Sequence, residues 1–330
     1  MNAKWVIDKI KKSGLKGRGG AEFPTGLKWE MVKKAKAKKK YIVCNASEGE
    51  PGVFKDGFIL ENYPEVVVQG IKIALKTIKN SSAFIYLRED YYKKFGEKLR
   101  TLIKKEPIYL FKKPPFYLAG EETALLEVIE GRRPEPRIKP PFPVEKGLWG
   151  CPTLINNVET FYYVAKIIQG EYRKTRFYSI SGDVKNKGVY EMPINYSILR
   201  ILKETNNFPE FDFFVQAGGG ITGEIITPDK LKKRVKGQGA IIVFNRSKTD
   251  IFLLMENWVD FLLRENCDKC TPCREGVFRL AEMVKQRKID LKTLNDLLFV
   301  LKQTSFCGLG KGVALPFFSL IKNLGVKEIK

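Results

Sequence analysis

The sequence contains no histidine. Imidazole is therefore excluded as general base and as metal ligand, and Ser-His-Asp, Cys-His and His-bound zinc chemistry go with it. Long apolar runs are also missing. Charged residues interrupt every hydrophobic stretch, including 66–75 and 251–263, well short of the ~20 residues that cross a bilayer. Residues 1–12 alternate charged and apolar positions on a helical period without the continuous apolar centre of a signal peptide, so they are expected to form a short amphipathic helix. The expected location is the cytoplasm, with no membrane span. Cysteine is scarce, at six residues, and without a secretory signal metal or cluster binding is favoured over disulfides.

The chain has 330 residues, more than one hydrophobic core usually supports, so two or three domains are expected. A hydrophobic share of 44% with 29% charged residues is that of a folded chain rather than a disordered one. Lys and Arg number 59 against 37 Asp and Glu, a formal charge of +22, which by itself would suit nucleic acid or an anionic surface. The lysines are scattered, apart from 33–40, and no helix-turn-helix, zinc-finger or RNA-binding signature accompanies them. Docking to acidic partner subunits, or a plain lysine-rich composition, explains the excess as well, and nucleic acid is not an expected partner.

Residues 28–171 alternate helical and strand-like runs, the pattern of an α/β layer fold. Strands are expected at 41–45 and 83–87, and helices at 64–79, 91–105, 123–131 and 153–170, with a proline-stiffened connection over 132–143. Between 173 and 242 the pattern changes to short strands at 177–182, 188–191 and 213–217 around a helix at 196–203, a small α+β module. From 251 onward the sequence reads as all-helical, with segments at 251–265, 274–286, 290–302 and 313–323 surrounding the cysteines.

Cys267, Cys270 and Cys273 place three thiols within seven residues, and Cys307 lies 34 residues beyond Cys273. Three close ligands and one remote suit a [4Fe-4S] cube, whose corners are wrapped by one loop and closed from another. Zinc is the rival, but four-cysteine zinc sites generally use two separate Cys-x-x-Cys pairs. Pro272 fixes the loop and permits a helix to start behind it. Cys44 and Cys151 are isolated and receive no role.

Residues 14–26 hold five glycines in thirteen positions. Gly17, Gly19 and Gly20 would let backbone N–H groups approach a phosphate, and Arg18 or Lys28 would neutralise it. The segment is not a dinucleotide fingerprint, since Glu22 takes the place of the third glycine, and alone such a loop is more often a turn than a site. The loop 45–52 follows a strand, where α/β folds bind ligands. Its carboxylates, Glu48 and Glu50, could accept bonds from ribose hydroxyls or a nicotinamide amide, although a solvated acidic loop is the plainer reading. Glu121 and Glu122 are similar candidates, with helix capping equally open to them.

Together these segments resemble the NADH-binding flavoprotein subunit of respiratory complex I and its relatives, the diaphorase subunits of NAD-linked hydrogenases and formate dehydrogenases. The motifs that carry the resemblance are 17–29, 45–56, 117–143, 153–160 and 267–276 with Cys307, in order along nearly the whole chain. The resemblance implies an FMN- and NADH-binding α/β domain at 1–170, a ubiquitin-like module called SLBB at 171–244 and a helical [4Fe-4S] domain at 245–330. It implies that the glycine loop and Lys28 hold FMN, lined by Asn45, Tyr117, Gly120, Asn156, Asn157 and Thr160. Glu50 and Glu122 would orient NADH, Phe23 and Phe142 would sandwich its adenine, and Lys139 would lie near the nucleotide. No side-chain base is implied, because hydride passes between nicotinamide and flavin. A separate thioredoxin-like [2Fe-2S] subunit and further redox subunits are implied partners, with peripheral attachment to the inner membrane through the complex. Three positions depart from the family: Glu22 stands for a glycine, Ser47 for an acidic residue, and Met31 where relatives offer an aromatic. A subunit that keeps the cluster as an electron relay or staple without nucleotide chemistry is the alternative these departures leave open.

Overall fold

The computed structural model describes residues 2–325. Its contacts divide the chain into two compact units, one of residues up to 49 with 54–177, the other of 50–53 with residues from 178 onward. In the first unit, helix α1 (Ala3–Ser13) is capped by the Asn2 side chain, which accepts from the N–H groups of Lys4 and Trp5, and it ends at Gly14 in the left-handed conformation (φ 70°). Both ends follow ordinary capping chemistry. Helix α2 (Thr25–Lys34) follows the glycine loop.

Strands β1 (Lys40–Ala46), β2 (Ser81–Leu87), β3 (Ile108–Lys112) and β4 (Thr153–Asn157) form a parallel sheet in the order β3-β2-β1-β4. Between them run α3 (Lys55–Asn62), α4 (Pro64–Thr77), α5 (Glu89–Ile103) and α6 (Ala124–Ile129), and α7 (Val158–Gln169) follows β4. Val43, Tyr86, Leu125, Leu126 and Ile155 are among the buried side chains of one core cluster on this sheet, which is why the strands read as continuous apolar runs. From β1 the chain steps outward through β2 to β3, then returns to set β4 on the other side of β1. The strand order thus reverses between β1 and β4, and in open parallel sheets the crevice outside the strand ends at such a reversal is where ligands bind.

The helix expected over 153–170 is corrected here. Thr153–Asn157 is a strand, and the helix begins only at Val158. Pairing with β1 overrides the local helical pattern, and the Asn157 side chain caps α7 by accepting from Glu159 N–H at 3.1 Å.

In the second unit, β5 (Thr175–Gly182), β6 (Gly188–Pro193), β7 (Phe213–Gly218), β8 (Glu224–Ile226) and β9 (Ala240–Asn245) form a mixed sheet in the order β6-β5-β9-β7-β8. Helix α8 (Ile198–Glu204) packs Ile198, Ile201 and Leu202 against Tyr178, Ile180, Phe213 and Val243. Five helical segments follow: α9 (Ile251–Glu265), α10 (Thr271–Lys285), α11 (Leu291–Thr304), the short α12 (Gly308–Gly312) and α13 (Ala314–Leu324). The last is tied to β8, since Ile225 N–H donates to Ser319 Oγ at 2.8 Å and the Asn323 amide donates to Ile225 O at 2.6 Å. Among the described residues no helix is long and apolar enough to cross a membrane.

Candidate redox site

At the strand reversal, Cys44 and Asn45 of β1 face Asn156 and Asn157 of β4 in register. The Asn45 amide donates to Gly120 O at 2.9 Å, and its Oδ1 accepts from Ser47 N–H at 3.1 Å. A Cβ on Gly120 would come 2.3 Å from Ser47 Oγ, so only glycine lets the Tyr117–Gly120 turn lie so close to the loop after β1. The glycine loop closes on itself, with Gly17 N–H donating to Phe23 O at 2.9 Å. It is pinned to the start of α7 by Arg18 N–H, which donates to Thr160 Oγ1 at 3.0 Å, and a Cβ on Gly19 would lie 3.4 Å from Asn157 Cβ. Asn156 Oδ1 accepts from the Trp29 indole at 2.9 Å. Gly17, Arg18, Gly19, Gly20, Asn45, Tyr117, Gly120, Asn156, Asn157 and Thr160 are therefore gathered at one edge of the parallel sheet.

Beneath that edge lies a buried charge network that the sequence did not reveal. Lys55 Nζ reaches Asp56 at 2.6 Å, Glu159 at 3.2 Å and Asn157 Oδ1 at 3.1 Å, and Arg18 Nε stands 3.8 Å from Glu159. Burial opposes the charge on Lys55, but the neighbouring carboxylates outweigh it and hold the ammonium well above its usual value. Glu48 accepts from the N–H groups of Asp56 and Gly57, at 3.0 and 3.2 Å, and from the Tyr91 hydroxyl at 2.7 Å. Burial, with the charge of Asp56 added, pushes its carboxyl up to about 7. Glu48 therefore caps α3 as a buried structural group and is not turned toward solvent. Arg18 Nε, fully buried, has no hydrogen-bond partner among the described residues.

A second cluster joins four candidates from distant segments. Lys28 Nζ pairs with Glu122 and donates to Ile155 O at 3.0 Å, and Lys139 Nζ lies 3.0 Å from Glu121 and 3.7 Å from Glu122. Burial opposes the charge on Glu122, but the two lysines outweigh it and hold its carboxyl below the usual range. Glu121 also caps α6 by accepting from Thr123 and Ala124 N–H at 2.7 and 2.9 Å. Phe23 and Phe142 are half-exposed on this unit, 43% and 49% accessible, the condition for aromatic faces that receive a ligand. Glu50 belongs to the second unit. Its Oε1 accepts from Ile221 and Thr222 N–H at 2.9 and 2.8 Å and from the Thr222 hydroxyl at 2.8 Å, and the Gln238 amide bonds its Oε2. That carboxylate is already engaged by protein donors at both oxygens.

Two of the positions expected to depart from the family, Glu22 and Ser47, have local partners. Glu22 adopts φ 52°, a left-handed conformation that favours glycine, and its carboxylate lies 3.8 Å from the buried Arg176 guanidinium. Ser47 turns its hydroxyl onto Asn45 Oδ1 at 2.5 Å.

In the second unit, Cys270, Cys273 and Cys307 are buried and Cys267 is partly exposed. Cys270 is the N-cap of α10, where the helix dipole favours a negative sulfur. The loop before it is shaped by Asn266 Oδ1, which accepts from Asp268 N–H at 3.0 Å, and by Arg274, which donates to Asp268 O at 3.0 Å. Burial, then the charges of Cys270, Cys307 and Cys267, push the Cys273 thiol up to about 12. The remote cysteine thus shares its surroundings with the other three. Among the described residues no three Cys, Asp or Glu side chains are close enough to hold a single metal ion. Cys44 is fully buried in β1, and that burial raises its thiol far above its usual value, as for an inert core residue.

A parallel sheet with a glycine loop at its strand reversal, followed by a helical region with four cysteines, is the arrangement that suits a flavoprotein carrying an iron–sulfur cluster. The Nuo51 FMN-binding domain matches residues 10–166, and the NADH-ubiquinone oxidoreductase-F iron-sulfur binding region matches 253–326. The F 2 subunit of the NADH-quinone oxidoreductase of Rhizobium meliloti is 33% identical over 96% of the chain and 86% of that protein. The corresponding F subunit of Streptomyces coelicolor is 35% identical over 96% and 80%, and the NADP-reducing hydrogenase subunit HndC of Solidesulfovibrio fructosivorans 33% over 95% and 73%. A crystal structure of an NAD+-reducing [NiFe]-hydrogenase in the H2-reduced state superposes with a TM-score of 0.88 at 28% identity, over 98% of the chain. The chain spans 61% of the length of that hydrogenase chain. The chain belongs to the family of FMN- and [4Fe-4S]-binding F subunits of NADH oxidoreductases.

Proposed function

We propose that the chain is the electron-entry subunit of a larger redox complex, exchanging hydride equivalents with NAD(H) at the first unit and passing single electrons onward from the second. The observation that carries this is the convergence of the glycine loop with Asn45, Asn156, Asn157 and Thr160 at the β1/β4 reversal, in one chain with the four-cysteine set. FMN, when bound, supplies the two-electron to one-electron conversion, and the cluster supplies the one-electron exit. The chain's own residues bind and align. Gly19 and Gly20 offer backbone donors, and Lys28, held by Glu122 and the Ile155 carbonyl, brings a fixed positive charge to the edge of the site. Asn45, Tyr117 and Gly120 form the wall opposite. Glu122 and Lys139 are proposed to meet the nucleotide, and Phe23 and Phe142 to take its adenine. Glu50 keeps its nucleotide role in this proposal.

In this reading the chain comprises an FMN- and NADH-binding domain at 1–170, an SLBB-like module at 171–244 and a helical cluster domain at 245–330. A thioredoxin-like [2Fe-2S] subunit is the proposed electron acceptor, and the formal charge of +22 favours acidic surfaces on the partners. Attachment to a membrane, where the complex has one, would be peripheral. The reading in which only the cluster survives draws on Glu22 and Ser47, yet Glu22 is paired with Arg176 and Ser47 is bonded to Asn45. Anaerobic purification followed by NADH titration separates the two. Flavin absorbance that bleaches with NADH is expected, and a brown, flavin-free protein indifferent to NADH would leave the cluster-only reading standing.

A further inference from the structure

The helix α11 ends at Ser305, whose N–H donates to Leu301 O at 3.2 Å before the backbone turns extended (φ −65°, ψ 145°). Two residues later comes Cys307. Ser305 is 3% exposed, and its Oγ is buried without a hydrogen-bond partner among the described residues. Leaving a buried hydroxyl unpaired is costly, so such groups generally answer to something bound. The position of Gly310 shows where this one stands. A Cβ added there would come 2.4 Å from Ser305 Oγ and 3.4 Å from Cys273 Cβ. The hydroxyl and Cys273 therefore flank the same point of backbone, and glycine at 310 keeps the space between them clear of a side chain.

We infer that the Ser305 hydroxyl donates a hydrogen bond to a sulfur of the cluster held by Cys267, Cys270, Cys273 and Cys307. A hydroxyl can rotate its proton toward whichever sulfur is nearest. Donation to an anionic sulfur favours the more negative, reduced state and raises the reduction potential, one of the recognised controls on such centres. Ser305 is thereby a tuning group. It is not a ligand, and its loss removes no iron–sulfur bond. The inference rests on the cluster assignment, and the test is arranged to tell the two apart.

The full chain is purified anaerobically as wild type, Ser305→Ala and Ser305→Thr, iron and sulfide are counted, and the cluster is titrated by EPR-monitored potentiometry. The alanine variant is expected to keep full iron and to become harder to reduce by roughly three- to tenfold at fixed potential, a shift of about 30–60 mV to the negative for one electron. The threonine variant, which keeps the hydroxyl, is expected to hold the wild-type potential. Full iron with an unchanged potential and EPR signature in the alanine variant overturns the inference and spares the cluster. Wild-type protein without iron overturns both. Should the alanine variant lose its iron, resonance Raman spectra of the wild-type and threonine proteins in H2O and D2O decide. Iron–sulfur bands that shift on exchange in both support the hydroxyl bond, and bands that do not shift in either overturn it.

Discussion

At the scale of single residues, Glu48 has the clearest consequence. Its carboxyl, pushed up to about 7 by burial and Asp56, keeps a proton in the folded state that the unfolded chain, with an ordinary carboxyl, gives up. Between the usual carboxylate range and about pH 7 the folded state thus binds more protons, so stability falls as pH rises through that window. Lys55 titrates far above it. The wild-type melting temperature is expected to decline from about pH 5 to about pH 8, and Glu48→Gln, which cannot ionise, to flatten the decline. Superimposable pH profiles for the two proteins would contradict the assignment. This residue also shows the limit of reading sequence. The loop 45–52 was a candidate ligand segment only by its place after a strand, with a solvated acidic loop the plainer reading, and nothing in it separates a nucleotide acceptor from a carboxylate that caps α3. That distinction depends on Asp56, Gly57 and Tyr91, the last contributed from α5. Ser305 was invisible for the same reason, since the burial of one hydroxyl is a tertiary fact.

At the scale of elements, the contact between α4 and α7 depends on Gly70. Glycine inside a helix costs about 1 kcal/mol relative to alanine, so propensity alone favours Gly70→Ala. An added Cβ would sit 2.1 Å from the Phe161 carbonyl oxygen, however, and α7 could accommodate it only by moving away. Overpacking of this kind costs about 1–3 kcal/mol, and thermal unfolding of the variant is expected to show that loss. A variant as stable as wild type would mean that the two helices are free to separate. Segments with strong periodicity were legible. Helices expected at 64–79 and 91–105 are found at Pro64–Thr77 and Glu89–Ile103, and the one at 251–265 keeps its limits. The strand Thr153–Asn157 was not, because five residues beside a helix carry no period of their own and acquire strand structure only from β1.

At the scale of the whole molecule, the two redox functions fall on separate units of one chain, each assembled differently. The first arises where a parallel sheet reverses its strand order, which gathers residues from 17 to 160 at one edge. The second lies among the helices that follow residue 250, in the region matched by the iron–sulfur family, where Cys267, Cys270, Cys273 and Cys307 are the proposed ligands. The presence of an iron–sulfur region near the C-terminus was readable from cysteine spacing. The β1/β4 reversal was not, since β3 and β4 were not among the expected strands. If the two sites work in series, reducing equivalents entering as NADH must emerge at the cluster. The direct measurement is low-temperature EPR of the anaerobically purified chain, reconstituted with FMN and titrated with NADH. NADH alone is expected to generate the signal of a reduced [4Fe-4S] cluster, and removing the flavin to abolish it. A cluster that dithionite reduces but NADH leaves oxidised, with flavin bound and at a potential NADH can reach, would contradict that coupling.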